Sequence, residues 1–194
     1  KANCMQCAAG FGTGGKSGQG KCEKNQGCPQ GYYAENKADS KCTPCPKGKF
    51  GTTVGALSAG DCLDCIKGRY SSQVGSTQCL LCPAGTYCPS ETLPDFQECP
   101  MGSVARSKGS ENCTVCPPGR YQSKSGEAVC DFCEAGKFNP KNMSLRIDDC
   151  EVCPPGRYSS YDGAEDCSLC SHTSIAPGNG STECMPCGGA GEIA

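Results

Sequence analysis

A spacing constrains this chain more than any other feature: nine Cys-x-x-Cys pairs, at 4/7, 42/45, 62/65, 79/82, 113/116, 130/133, 150/153, 167/170 and 184/187. Four further cysteines, Cys22, Cys28, Cys88 and Cys99, stand outside the pairs. From one pair to the next, the step is 17 residues at four junctions and 20 at two. A short fixed period marks a repeat architecture in which each unit rests mainly on its neighbours.

The second cysteine of a pair opens the next unit. Cys-x-x-Gly-x-Tyr/Phe follows Cys28, Cys45, Cys65, Cys82, Cys116, Cys133 and Cys153, while Val104 and Ile175 take the aromatic place after Cys99 and Cys170. A closing glycine lies four residues before a cysteine at Gly75, Gly109, Gly126, Gly163 and Gly180. Pro fixes φ and Gly frees it, so Pro-x-Gly directly after a cysteine encodes a tight turn. The aromatic then starts a short extended run, and the later glycine turns the chain back. Gly and Pro recur too often for helix, and no 3.6-residue apolar spacing persists. The expected fold is a series of small disulfide-rich repeats: an elongated rod of tandem irregular β-hairpin modules with little regular secondary structure and no helix-rich core. The single aromatic of each unit is expected to lie over the disulfide.

The chain has 22 cysteines in 194 residues, and Leu, Ile, Val and Phe together also number 22, with no Trp. That apolar share of about 11% is below the roughly 20% needed to order a chain by core burial, so covalent links must take the place of a core. So many cysteines indicate an oxidising compartment, and the expected location is extracellular or cell-surface, reached by the secretory pathway. Three Asn-x-Ser/Thr sequons, at Asn112, Asn142 and Asn179, are N-glycosylation candidates. A net charge of −2 with one histidine argues against nucleic acid as a partner. No apolar run reaches the ~20 residues of a membrane span, so no direct membrane insertion is expected of this segment. Both ends fall inside the repeat pattern, which reads as a piece of something longer.

Three regions are expected: a degenerate Gly-rich first unit (1–27), repeats over 28–98 ending in an irregular insertion (82–99), and repeats over 99–194, truncated at the C-terminal end. The insertion is the expected place for a bend. Joining each unit-opening cysteine to the next cysteine along gives Cys7–Cys22, Cys28–Cys42, Cys45–Cys62, Cys65–Cys79, Cys82–Cys88, Cys99–Cys113, Cys116–Cys130, Cys133–Cys150, Cys153–Cys167 and Cys170–Cys184. Cys4 and Cys187, the outermost two, are left over. Spacing alone does not prove connectivity, least of all around Cys82, Cys88 and Cys99.

Other chemistries fit poorly. Four-cysteine zinc sites use cysteines in fours, and 22 does not divide by four. A thioredoxin-type Cys-x-x-Cys needs a helix start in a βαβ setting, which this pattern lacks. His172 has no nucleophile or carboxylate around it that differs from ordinary loop chemistry. The reading is therefore of a non-enzyme with no cofactor, no catalytic residue and no metal ligand. Acidic residues near the cysteines (Asp61, Asp64, Asp131, Glu134, Asp148, Asp149, Glu151, Asp166) and basic residues before the aromatics (Lys49, Arg69, Arg120, Lys137, Arg157) admit two readings. They are solvated cross-strand pairs, or complementary stripes that register neighbouring copies side by side.

With Cys-Pro-Pro-Gly-Arg-Tyr at 116–121 and 153–158, followed by Gly-x-x-x-Cys-x-x-Cys, the chain resembles the ephrin-receptor-like cysteine-rich repeat. The loop is similar to the A-type module of tumour-necrosis-factor-receptor ectodomains. The resemblance covers residues 28–187 and implies bonding of opening to closing cysteine, as in 116–130 and 153–167. Long arrays of this repeat are similar to those of large protist surface proteins and flagellar-hair (mastigoneme) proteins. The resemblance implies a structural segment of a large surface or filament glycoprotein, possible N-glycans included. Its partners would be copies of itself or other filament or surface proteins. The alternative is a receptor or adhesin ectodomain binding a protein ligand, with its contact residues at 82–99 or 171–182.

Overall fold

The computed structural model describes residues 11–12, 23–24, 27–35 and 41–187. Among them the regular structure consists of strands of two or three residues, paired as two-stranded sheets, and two 3-10 turns. The local reason is visible in the repeats opened by Cys28 through Cys153. Four residues after an opening cysteine the chain has just left a turn whose glycine takes positive φ, 81° at Gly48 and 82° at Gly136. The N–H groups of Lys49, Lys137 and Arg157 donate back across that turn to the carbonyls of Pro46, Glu134 and Pro154. Left-handed geometry at the third position of such a turn is the type II arrangement, which glycine adopts without steric cost.

The strand that follows pairs with the two residues between the cysteines of the next Cys-x-x-Cys. Arg120–Tyr121 pairs antiparallel with Asp131–Phe132, Arg120 opposite Phe132 and Tyr121 opposite Asp131. Lys137–Phe138 pairs in the same way with Glu151–Val152, and Arg157–Tyr158 with Ser168–Leu169. The second cysteine adds a rung by donating its N–H to the turn-glycine carbonyl, as Cys116 does to Gly102 and Cys133 to Gly119. The two-residue gap of Cys-x-x-Cys is thus one complete strand held between two disulfides.

Backbone bonds carry the fold from repeat to repeat. Each turn glycine donates its N–H to the residue just after the aromatic position of the next repeat, Gly102 to Gln122, Gly119 to Asn139 and Gly136 to Ser159. The opening cysteine's carbonyl accepts from the next repeat's closing turn, Cys99 from Gly126, Cys133 from Gly163 and Cys153 from Gly180. Contact also reaches the second neighbour. A methyl group on Gly119 would collide with the Gly163 carbonyl, and one on Gly136 with that of Gly180. Contacts thus reach one repeat beyond the immediate neighbour, because two-residue strands are too thin to separate a repeat from the one after next.

The described residues fall into two compact units. The first runs to Pro83 and includes Cys88–Gln97; the second takes Ala84–Tyr87 and the chain from Glu98 onward. In the first, Cys45, Cys65, Cys82 and Cys88 are fully buried, and Tyr70 meets Phe96 edge to face with ring centroids 5.2 Å apart. In the second, Cys99, Cys116, Cys133 and Cys153 are fully buried. At the aromatic position Tyr121, Phe138 and Tyr158 are half-buried. At the same position Val104 is fully buried and packs on Cys116 and Cys130, the disulfide of the following repeat.

Candidate functional site

The cysteines come first because they position everything else. The structure bonds Cys28 to Cys42, Cys45 to Cys62, Cys65 to Cys79, Cys82 to Cys88, Cys99 to Cys113, Cys116 to Cys130, Cys133 to Cys150, Cys153 to Cys167 and Cys170 to Cys184. Cys4, Cys7 and Cys22 lie outside the described residues. Cys187 is exposed and carries no disulfide among the described residues. From 42/45 to 167/170 the two cysteines of each pair belong to successive disulfides, so neither supplies the thiolate that redox or zinc chemistry requires. Cys-x-x-Cys is a joint between loops.

A second set of residues escaped sequence reading. From Ala34 to Ala176 the position after the aromatic is buried in each repeat and often polar: Ser71, Gln122, Asn139 and Ser159. Each ties its own loop. Gln122 donates to the Val129 carbonyl at 2.8 Å and accepts from the Lys124 N–H at 2.9 Å. Asn139 donates to Ser144 Oγ at 2.7 Å and accepts from the Lys141 N–H at 3.0 Å. The Ser71 hydroxyl donates to Ser76 Oγ at 2.7 Å. The available signal was the absence of any large apolar residue at this site after seven aromatics.

The charged residues divide by use. Of the basic residues before the aromatics, Lys49 makes the cross-strand pair, 2.8 Å from Asp64. The hydrogen bond from Lys49, and then that from the Thr92 hydroxyl, hold the Asp64 carboxyl below its ordinary range. Arg69 and Arg157 donate to the carbonyls of Cys79 and Cys167, and Lys137 lies 3.4 Å from Glu134. The Arg120 guanidinium lies 3.8 Å over the Phe132 ring. Asp61 and Asp149 accept backbone N–H groups that open their 3-10 turns, from Leu57 and Ser58 and from Leu145 and Arg146. The bonds from Arg146 and Leu145 lower the Asp149 pKa. Asp166 caps the N–H of Cys167. Asp131, Asp148 and Glu151 are exposed, and none of their carboxylates has a hydrogen bond or ion pair among the described residues.

Asn112, Asn142 and Asn179 are all exposed. Asn112 and Thr114 line an open groove of about 470 Å³ together with Val104, Arg106, Ser110 and Val115. This concavity lies outside both segments, 82–99 and 171–182, in which sequence reading sought a contact surface. His172 is exposed.

These features define a tandem, disulfide-bonded cysteine-rich repeat domain of the extracellular type. The family described as tyrosine-protein kinase ephrin type A/B receptor-like matches three times, over residues 12–62, 51–99 and 102–150. The chain belongs to this family of ephrin-receptor-like repeats, which are non-catalytic structural modules. It is also similar to thyroglobulin of Mus musculus, with 38% identity over 65 residues, which is 33% of this chain. The match spans 2% of the length of that protein.

Proposed function

We propose that this chain is an extracellular structural segment of a large cell-surface or filament glycoprotein, a non-enzyme that makes protein–protein contacts and is held by disulfides. The supporting observation is the backbone register: the same pair of inter-repeat hydrogen bonds recurs from Cys99 to Gly180 whatever side chains intervene. Such a scaffold keeps its form while the residues on its outer faces change. Limited proteolysis with sedimentation velocity tests the reading. The segment should resist protease until reductant is added and should associate reversibly with itself. A chain that is readily cleaved when oxidised, or monomeric at every concentration, overturns it.

The groove beside Val104 and Val115 favours a second reading, a receptor or adhesin ectodomain with a protein ligand. In that case Val115→Asp should abolish ligand binding and leave self-association intact. Under either reading Asn112, Asn142 and Asn179 are the candidate N-glycosylation sites, and a mass shift on enzymatic deglycosylation of the secreted protein would reveal which are occupied.

A further inference from the structure

Two consecutive hairpins of the second unit carry different chemistry on their two faces. Successive strand residues point to opposite sides, so the registers place Arg120 with Phe132 and Lys137 with Val152 on one face. Tyr121 with Asp131 and Phe138 with Glu151 fall on the other. Phe132 and Val152 remain 47% and 52% exposed. The Arg120 guanidinium lies over the Phe132 ring and finds no hydrogen-bond acceptor among the described residues. Across the ladder, the Asp131 and Glu151 carboxylates are exposed acceptors with no donor among the described residues. Lys137 already lies 3.4 Å from Glu134, so Arg120 is the unpaired cation of the first face among the described residues; that face is basic and apolar, the other anionic and aromatic.

We propose that these faces dock onto each other between two copies of this chain, the cations and apolar side chains of one copy against the carboxylates and rings of the next. The inference rests on the structural reading above and names its contact. Charge complementarity selects the occupant, and spacing supports it. Both stripes ride on the same two hairpins, so their rungs share one pitch, and a second copy lying in the same direction meets both rungs at once. The contact joins two different faces, so it is not closed by a two-fold axis and can propagate sideways. Exposed ion pairs contribute little each. Burial of Phe132 and Val152 supplies affinity, and the charges fix register and make association salt-sensitive.

The test is sedimentation velocity on the whole 194-residue chain and two charge-reversed variants, Asp131→Lys/Glu151→Lys and Arg120→Glu/Lys137→Glu. Each variant alone presents like charges on both faces and should be monomeric where the parent associates; mixed one to one, the two should associate again. A milder pair, Asp131→Asn/Glu151→Gln, alters no contact within the fold and should weaken association at least tenfold. Variants that assemble like the parent, or a mixture of folded variants that stays monomeric, overturn this contact and leave the structural reading standing. A parent chain that never associates overturns the structural reading itself.

Discussion

Met143 and Thr92 hold backbone conformations that glycine supplies elsewhere in the array, with φ of 59° and 58°. Their places explain it. Met143 donates its N–H to the Cys116 carbonyl and Thr92 to that of Cys65, the bonds that closing glycines make in neighbouring repeats. The left-handed region costs an L-residue roughly 1–2 kcal/mol. Met143→Gly should therefore stabilise the chain by about 1 kcal/mol after glycine's added unfolded-state entropy, measured by denaturant unfolding with disulfides intact. Thr92→Gly should gain less, because it also removes the hydroxyl bond to Asp64. The turn glycines offer a paired comparison. Gly119 and Gly156 have φ of 76° and 82°, but a methyl group on Gly119 meets the Gly163 carbonyl whereas one on Gly156 meets nothing within 4 Å. Gly119→Ala should cost about 1–3 kcal/mol more than Gly156→Ala, the range for a group forced into packed structure. Equal melting temperatures for the two variants would remove the second-neighbour contact from the account. The closing station was legible where glycine stands four residues before a cysteine; Gly55 makes the same bond to Cys28 from within the longer Cys45–Cys62 loop and was missed, and Thr92 and Met143 carry no preference for positive φ and concealed the same turn.

At the scale of elements, two loop lengths acquire a physical meaning. The disulfides Cys45–Cys62 and Cys133–Cys150 close loops of 17 residues where most others close 14. The additional residues form the 3-10 turns Ala59–Asp61 and Ile147–Asp149, each opened by its own aspartate. Asp149 and Asp64 have carboxyl groups lowered by hydrogen bonding. Their folded pKa values lie below the unfolded one near 3.9. Their contribution is therefore present above about pH 4 and is lost as pH falls through the folded values. NMR titration should find both carboxylates ionised below that pH, and Lys49→Met should raise the Asp64 value by removing its largest cause. Loop length also ranks the disulfides. The six-residue separation of Cys82–Cys88 predicts a loss of about 2 kcal/mol on removal, against about 3 kcal/mol for Cys116–Cys130, if chain entropy governs. Paired Cys→Ser variants, compared by denaturant midpoint, check the order. Tight closure at Cys82–Cys88 frees the following residues to depart from the rhythm, which is why 82–99 reads as irregular.

At the largest scale, the interior formed by the described residues is mostly sulfur and backbone. The largest fully buried side chains are Val104 and Asn139, followed by cysteines, and apolar side chains such as Ile66 and Leu169 lie 62% and 68% exposed. Dithiothreitol without denaturant should therefore unfold both units at 25 °C, seen as loss of near-ultraviolet dichroism and gain of protease sensitivity. A reduced chain that kept native dichroism would show that packing suffices without the links. The residues by themselves determined the class of object. Cysteine spacing, Pro-x-Gly turns and scarcity of apolar residues are local or additive properties, and they leave small stapled hairpins as the available solution. Tertiary structure alone decided which groups meet across repeats: the glycine-to-carbonyl approach two repeats away, the buried amides of Gln122 and Asn139, and which carboxylates are engaged and which face outward. Those outcomes depend on how far each thin hairpin is rotated and raised relative to the last. That offset comes from backbone hydrogen bonds between repeats, and no single residue type encodes it.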